Sequence, residues 1–360
     1  MVLSGGGTGG HVYPALAVAE VLREDAAAHE LLYIGARGRM DEQLVKPTGL
    51  RFEAVRAAPL RVGSPIDALR NFATLLIGTA QAWFTLRRFR PDVVFATGGY
   101  ASVPVGIAAR ARRRPLVVYL PDVTPGWAVR LLSRIATRIA TTTDKSLRAL
   151  PAGKAQAVGY PVRSDFWKAE RGEARQRLGL PANEPVLLVT GASQGAHSIN
   201  RAVAQQIDSL LDVCHVLHST GQVDEAEMLA KRDALPQTTQ SRYHVFGFLD
   251  DMAGAMAAAD LAVMRSGASV LGELPAACLP AILVPGVYAA GHNQRDNAQF
   301  LADRGAAVVL ENEQLDKLSD LVRELLADEP RRRSMAEAMR KLARPNAAKD
   351  IARMLEEVAA

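Results

Sequence analysis

Gly5-Gly6-Gly7-Thr8-Gly9-Gly10 runs directly into His11. Five glycines in six residues weaken folding unless the backbone must come close to something. A loop nearly free of side chains at a helix N-terminus can set peptide N–H groups against oxygen or phosphate. Thr8, Gly9 and Gly10 are therefore candidate binding positions. An imidazole titrates near neutrality, so His11 is suited to take a proton from a hydroxyl. Gly5, Gly7 and Gly10 also satisfy the dinucleotide spacing G-x-G-x-x-G. Such a site wants an acid near the end of the second strand for the ribose hydroxyls. Here that strand ends Ile34-Gly35-Ala36-Arg37. Arg37 could accept a 2′-phosphate, which leaves NADP open, but one dinucleotide site would leave a second glycine loop unexplained.

That second loop is Gly191-Ala192-Ser193-Gln194-Gly195-Ala196, after the apolar run Val186–Thr190. No Lys-Ser/Thr pair follows, so it is not a P-loop. Ser193, Gln194 and Gly195 offer hydroxyl, amide and backbone donors to a phosphate or a sugar. A third turn, Arg265-Ser266-Gly267-Ala268-Ser269, opens another helix and leads to Glu273. Ala268 and Ser269 make a second anion cradle. Glu273 could accept hydrogen bonds from two ribose hydroxyls, or be an acid favoured there by the helix dipole. A fourth segment, His292-Asn293-Gln294-Arg295-Asp296-Asn297, clusters amides suited to sugar hydroxyls or to helix capping.

Positioning these loops requires a repeated strand–loop–helix rhythm. In the first half, strands are expected at Met1–Ser4, Leu31–Gly35, Phe52–Val55, Val93–Thr97, Leu116–Leu120 and Ile139–Thr143. Helices begin near Pro14, Met40, Ile66, Pro104 and Trp127, with Pro14 in a first helical turn. In the second half, strands are expected at Val186–Thr190, Val213–Ser219, Tyr243–Phe246, Leu261–Met264, Ala281–Pro285 and Ala307–Leu310. Helices follow at about Ser198, Glu225, Met252, Ser269, Asn293 and Leu315, and a last one spans Ala347–Val358. Such alternation predicts an α/β protein of two doubly wound halves with parallel sheets, facing across a cleft. All four loops fall at strand carboxyl ends, where open α/β sheets place ligands.

At 360 residues the chain is long for one core. The pattern breaks around Gly159-Tyr160-Pro161-Val162-Arg163, which places domains at 1–162 and 163–344. The helix at about 345–360 is expected to pack back on the first. Cys214 and Cys278 lie in apolar runs and read as buried thiols, not a disulfide or zinc site. The N-terminus does not resemble a signal peptide and no spanning run occurs, which favours the cytoplasm. Residues 1–163 hold 22 Lys+Arg against 11 Asp+Glu, a balance of +11, and the remainder carries −6. A basic first half asks for an anionic partner, nucleic acid or an anionic membrane.

Gly6-Gly7-Thr8-Gly9-Gly10-His11-x-x-Pro14-Ala15, Gly98-Gly99-Tyr100-x-Ser102-x-Pro104, Gly191-x-Ser193-Gln194-Gly195-Ala196-x-x-x-Asn200, Arg265-Ser266-Gly267-Ala268 with Glu273, and Gln294-x-x-Asn297-Ala298 occur in this order. Together they resemble the MurG family, which transfers N-acetylglucosamine onto lipid I to form lipid II for bacterial peptidoglycan. The resemblance covers nearly the whole chain. It implies a GT-B fold, with acceptor on the first domain and UDP-N-acetylglucosamine (UDP-GlcNAc) mainly on the second. It implies inversion in one displacement by the 4-hydroxyl of the lipid-linked N-acetylmuramyl unit. His11 would be the base or would position the acceptor. Arg163, Ser193 and the Gly191–Gly195 loop would bind the diphosphate, Phe248 and Leu249 would frame the uracil, and Glu273 would hold the ribose. Asn293 and Gln294 would read the sugar. Helix N-termini, with no metal or cofactor, would stabilise the leaving group.

Three stretches depart from the family pattern. Tyr119-Leu120-Pro121-Asp122 replaces His-Glu-Gln-Asn on the acceptor side, with Asp122 in the asparagine's place and a second candidate base. Val270 replaces a threonine near the diphosphate, and Gly159-Tyr160-Pro161 replaces Gly-Asn-Pro. A lipid-linked acceptor also requires the enzyme to reach the membrane, whose anionic surface is the expected partner. Leu69, Phe72, Leu75, Leu76, Trp83, Phe84 and Leu86 lie in a helical region with Arg70, Arg87, Arg88 and Arg90, and Arg110, Arg112, Arg113 and Arg114 form a second basic run. Apolar residues beside arginines suit a peripheral enzyme on the cytoplasmic face of the plasma membrane. No nucleic-acid motif accompanies the charge, and cell-wall synthesis proteins are expected partners. Competing readings are another GT-B glycolipid glycosyltransferase, a sugar-nucleotide epimerase, or a non-catalytic sugar-nucleotide-binding membrane scaffold.

Overall fold

The computed structural model describes residues 1–24, 29–38, 40–58, 64–191, 195–286 and 293–360. Ser193 and Gln194 lie outside the described residues, as does His292. The chain divides into two compact units. One comprises Met1–Arg163 with Arg344–Ala360, the other Ser164–Ala343.

Among the described residues of the first unit, seven strands pair in parallel: β1 (Val2–Ser4), β2 (Leu32–Ala36), β3 (Arg51–Val55), β4 (Val94–Ala96), β5 (Leu116–Leu120), β6 (Arg138–Thr141) and β7 (Ala155–Ala157). Their spatial order is β3-β2-β1-β4-β5-β6-β7. Residues of β1, β2, β4 and β5 are buried throughout, as expected of strands covered on both faces. The helices used below are α1 (Gly9–Glu24), α2 (Met40–Val45), α3 (Pro65–Phe89), α4 (Ser102–Ala111) and α5 (Trp127–Ile135). The strand order reverses between β1 and β4, so the loops after these two strands flank the switch point.

One expectation needs correction here. The first helix starts at Gly9, not near Pro14, and Pro14 lies inside it. Proline has no N–H to give the carbonyl four residues back, which is that of Gly10. The Tyr160 hydroxyl donates to this carbonyl instead, at 3.4 Å. Within the segment Tyr119–Asp122 burial is uneven. Tyr119, Leu120 and Pro121 are buried, and only Asp122 is half-exposed. Tyr119 and Tyr160, two departures from the family pattern, pack edge to face with ring centroids 6.3 Å apart. The Tyr119 hydroxyl also donates to the Gly159 carbonyl.

The C-terminal helix, Ala347–Ala359, packs against α1 and buries Ile351, Ala352 and Leu355. His29 Nε2 and Glu356 Oε1 meet at 3.1 Å on its flank.

The second unit repeats the plan with six parallel strands: β8 (Val186–Thr190), β9 (His215–Ser219), β10 (Tyr243–Phe246), β11 (Leu261–Arg265), β12 (Ala281–Val284) and β13 (Ala307–Val309). Their order is β10-β9-β8-β11-β12-β13, with the switch between β8 and β11. The core joins these strands to the helix His197–Leu211 through Ile199, Val203 and Ile207.

Candidate functional site

Each unit carries two loops at its switch point. In the first unit they interlock. The Gly5 carbonyl accepts the Tyr33 hydroxyl at 2.9 Å. The Gly7 amide donates to Asp41 Oδ1 at 2.8 Å, and the Ala36 amide donates to Asp41 Oδ2 at the same distance. Asp41 is fully buried at the start of α2. An acid is thus present near the end of β2 after all, but its carboxylate clamps the glycine loop. That use removes it from the role a dinucleotide ribose would need. The loop after β4 closes from the other side. Gly99 has a φ of 77°, and a Cβ there would lie 1.8 Å from the Gly6 carbonyl oxygen, so only glycine fits. Ser102 Oγ donates to the carbonyls of Gly98 (2.6 Å) and Ser4 (3.0 Å), tying α4 to both loops.

His11 emerges from this frame. Its Nδ1 lies 3.0 Å from Thr8 Oγ1, and its ring lies over Gly98, where a Cβ would come within 2.9 Å of Cδ2. The Thr97 hydroxyl holds the His11 carbonyl. Burial lowers the His11 pKa below its ordinary value of 6.5, and the negative charges of Asp122 and then Asp41 oppose that shift. The imidazole is therefore neutral at pH 7 and able to accept a proton. Asp122, on the loop after β5, acts on His11 through its charge. Arg163 places its guanidinium over the Tyr13 ring, 4.9 Å from the centroid.

In the second unit, the loop after β8 is described at Gly191 and from Gly195 onward. Gly195 has a φ of 74° and abuts the Thr220 carbonyl. A one-way chain of hydrogen bonds braces this junction. Asn200 Nδ2 donates to the Thr220 carbonyl and to Asp224 Oδ2, both at 2.7 Å. Its Oδ1 must then accept from His218 Nε2, 3.0 Å away. His218 Nδ1 is left to accept the Tyr243 hydroxyl at 2.9 Å. Burial, opposed by the charge of Asp224, pushes the His218 pKa down to about 3, consistent with this neutral tautomer. His197 Nδ1 closes the chain on Asp224 Oδ1 at 3.1 Å.

Arg265 ties the second loop of this unit to its neighbours. It donates to Ser198 Oγ, to the carbonyls of Val284 and Pro285, and to Asn312 Oδ1. Beyond it, Ala268 is buried, and Ser269 precedes the helix Val270–Ala277. Glu273 lies one turn into that helix and is buried, as is Val270.

The structure separates some residues that the sequence paired. Phe248 is 44% exposed, whereas Leu249 is 7% exposed, so only the phenyl ring is open to a ligand. Gln294 Oε1 accepts the Gly286 amide at 2.8 Å. Asn293 opens the helix Asn293–Ala302 and is half-buried. Asn297, one turn further, is buried and donates to the Ser266 carbonyl. Sequence reasoning missed Asp41, the bracing role of Asn200 within its motif, and the ties made by Arg265. Asp41 carries a weak signal, an acid just beyond a glycine-ending strand. The other two roles depend on partners far away in sequence.

Residues 1–141 match the glycosyltransferase family 28 N-terminal domain, and residues 186–352 match the family's C-terminal domain. The chain is 40% identical to a UDP-N-acetylglucosamine--N-acetylmuramyl-(pentapeptide) pyrophosphoryl-undecaprenol N-acetylglucosamine transferase of Roseiflexus sp. (strain RS-1), covering 98% of this chain and 94% of that one. It is 35% identical to the protein of the same name from Halothermothrix orenii, covering 100% and 99%. Among solved structures it is similar to Acinetobacter baumannii MurG, with a TM-score of 0.75, 26% identity and 99% of both chains covered. A UDP-GlcNAc 2-epimerase from Neisseria meningitidis shares the fold at a TM-score of 0.70 and 14% identity, over 99% of both chains.

Proposed function

Because the chain belongs to the MurG family within glycosyltransferase family 28, we propose that it transfers N-acetylglucosamine from UDP-GlcNAc to the 4-hydroxyl of the N-acetylmuramyl unit of lipid I, forming lipid II. What carries this proposal at the level of chemistry is His11, a neutral imidazole held at a switch point by Thr8, Gly98 and the Asp41-clamped loop.

With His11 Nδ1–H given to Thr8 Oγ1, Nε2 keeps its lone pair for the acceptor proton. The nearby charge of Asp122 stabilises the imidazolium that forms. As the oxygen attacks the anomeric carbon, the bond to UDP breaks and the configuration inverts. The helices that begin at His197 and Val270 stabilise the charge gathering on the diphosphate through their N-termini. Arg163, Ser193, Gln194, Gly195, Ala268 and Ser269 bind this diphosphate. Phe248 covers the uracil, with Leu249 as backing from the core. Glu273 holds the ribose, and Asn293 and Gln294 read the sugar. Thr8, Gly9 and Gly10 approach the acceptor.

The first unit docks on an anionic membrane as a peripheral enzyme. Ile66, Leu69, Phe72, Leu76, Ile77 and Phe84 are exposed on α3, at spacings that share one helix face. Arginines at the C-terminal ends of α3 and α4 supply positive charge. No described helix is long and apolar enough to cross a membrane.

The decisive experiment follows UDP release from UDP-GlcNAc with and without a lipid I analogue. Lipid-dependent release with a disaccharide product is the expected result. Tight sugar-nucleotide binding without such turnover would refute the assignment.

A further inference from the structure

Tyr100 and Trp127 are two aromatic side chains for which neither the sequence motifs nor the catalytic scheme gives a task. Tyr100 follows Gly98-Gly99, and Trp127 is the first residue of α5. Their rings lie 26° from parallel with centroids 6.5 Å apart, an offset pair at the long end of the stacking range. Both are half-buried, so part of each ring is open.

Tyr100 adjoins the glycine loops that frame His11. A Cβ on Gly7 would lie 3.7 Å from the Tyr100 ring. Gly98 faces both His11 and Val129, and Val129 lies two residues beyond Trp127 on α5. The Tyr100 hydroxyl and the Trp127 indole N–H have no hydrogen-bond partner among the described residues. An apolar face with an unused polar tip matches a pyranose, which shows C–H groups on its face and hydroxyls or an acetamide at its rim. A lipid chain would match the faces but leave the polar tips unused.

We propose that Tyr100 and Trp127 form a carbohydrate platform that stacks on the acceptor's sugar ring and presents its hydroxyl to His11. This rests on the transferase function proposed above, and it adds the residues that recognise the acceptor sugar.

The chain has three tryptophans, so the paired substitution Trp83→Phe and Trp167→Phe leaves Trp127 as the sole indole emitter. Titration with a short-chain lipid I analogue should change its emission to saturation, whereas a polyprenyl pyrophosphate lacking the sugar should not. Trp127→Ala should raise the acceptor KM about tenfold, with the UDP-GlcNAc KM and the Tm unchanged, and Trp127→Phe should recover most of the loss. The platform is overturned if Trp127 emission ignores the saturating acceptor, if the sugar-free lipid changes it equally, or if Trp127→Ala leaves the acceptor KM intact. If the wild-type protein turns over no lipid I, the transferase function fails, and the emission titration with the same analogue still decides the platform. The titration also decides it if Trp127→Ala does not fold.

Discussion

Replacing Asp41 by asparagine tests whether one buried carboxylate sets the geometry of the first loop. Asp41 accepts the amides of Gly7 and Ala36, one on each oxygen. Asparagine keeps the size but offers a single acceptor, and its NH2 group would point donor-to-donor at the other amide. One charge-assisted bond is lost and one buried N–H is left without a partner, at a cost of about 2–4 kcal/mol. For a unit of this size that corresponds to a fall in Tm of about 5–15 °C. The loop that carries His11 also loosens, and a shift of about 1 Å at the base is enough to lower kcat up to about a hundredfold. Calorimetry gives the first quantity. Amide hydrogen exchange at Gly7 and Ala36 gives the local one, with faster exchange expected at whichever amide the new side chain no longer accepts. An unchanged Tm together with unchanged exchange at both amides would refute the clamp.

Three further outcomes follow from the same geometry. His11→Ala should lower kcat by about 10²- to 10⁴-fold with UDP affinity nearly unchanged; parallel loss of both would mean the ring is only structural. The His11 pKa is depressed, so its basic form is present above that value and is lost as pH falls through it. The acid limb of the kcat/KM profile for acceptor should therefore lie below pH 6.5, and a limb above 6.5 would contradict the depressed value. Phe72→Asp with Leu76→Asp should abolish co-sedimentation with anionic vesicles while leaving turnover of a water-soluble acceptor intact. Persistent vesicle binding would move the membrane contact away from α3.

Much of the fold was legible because its strands are unbroken apolar runs that end at glycines or polar loops. Leu116–Leu120 and Val186–Thr190 are found at the bounds the pattern predicts. The edge strand Ala155–Ala157 was not, because it is partly exposed and has no apolar run to announce it. Pro14 misled in a specific way. The rule that proline opens a helix rests on its missing N–H, and here a distant tyrosine hydroxyl fills the vacancy at the Gly10 carbonyl. Tyr119 packs in the core on Tyr160, another departure from the family pattern, a contact between residues too far apart in sequence for local spacing to announce. In the second unit, residue types single out the loops at strand carboxyl ends but not the contacts each side chain makes within them. Whether Phe248 or Leu249 is open, or which atom of Gln294 is engaged, depends on tertiary neighbours that local spacing does not encode.

The return of the C-terminal helix to the first unit has a consequence for biosynthesis. The chain leaves this unit after Arg163 and rejoins it at Arg344. During vectorial synthesis, all seven strands of the first sheet leave the ribosome long before the helix Ala347–Ala359 that covers α1. The second unit, continuous in sequence, can complete its fold first. Until the helix Ala347–Ala359 emerges, the part of α1 that it covers stays open, so the first unit reaches its full packing only after the second has been synthesised.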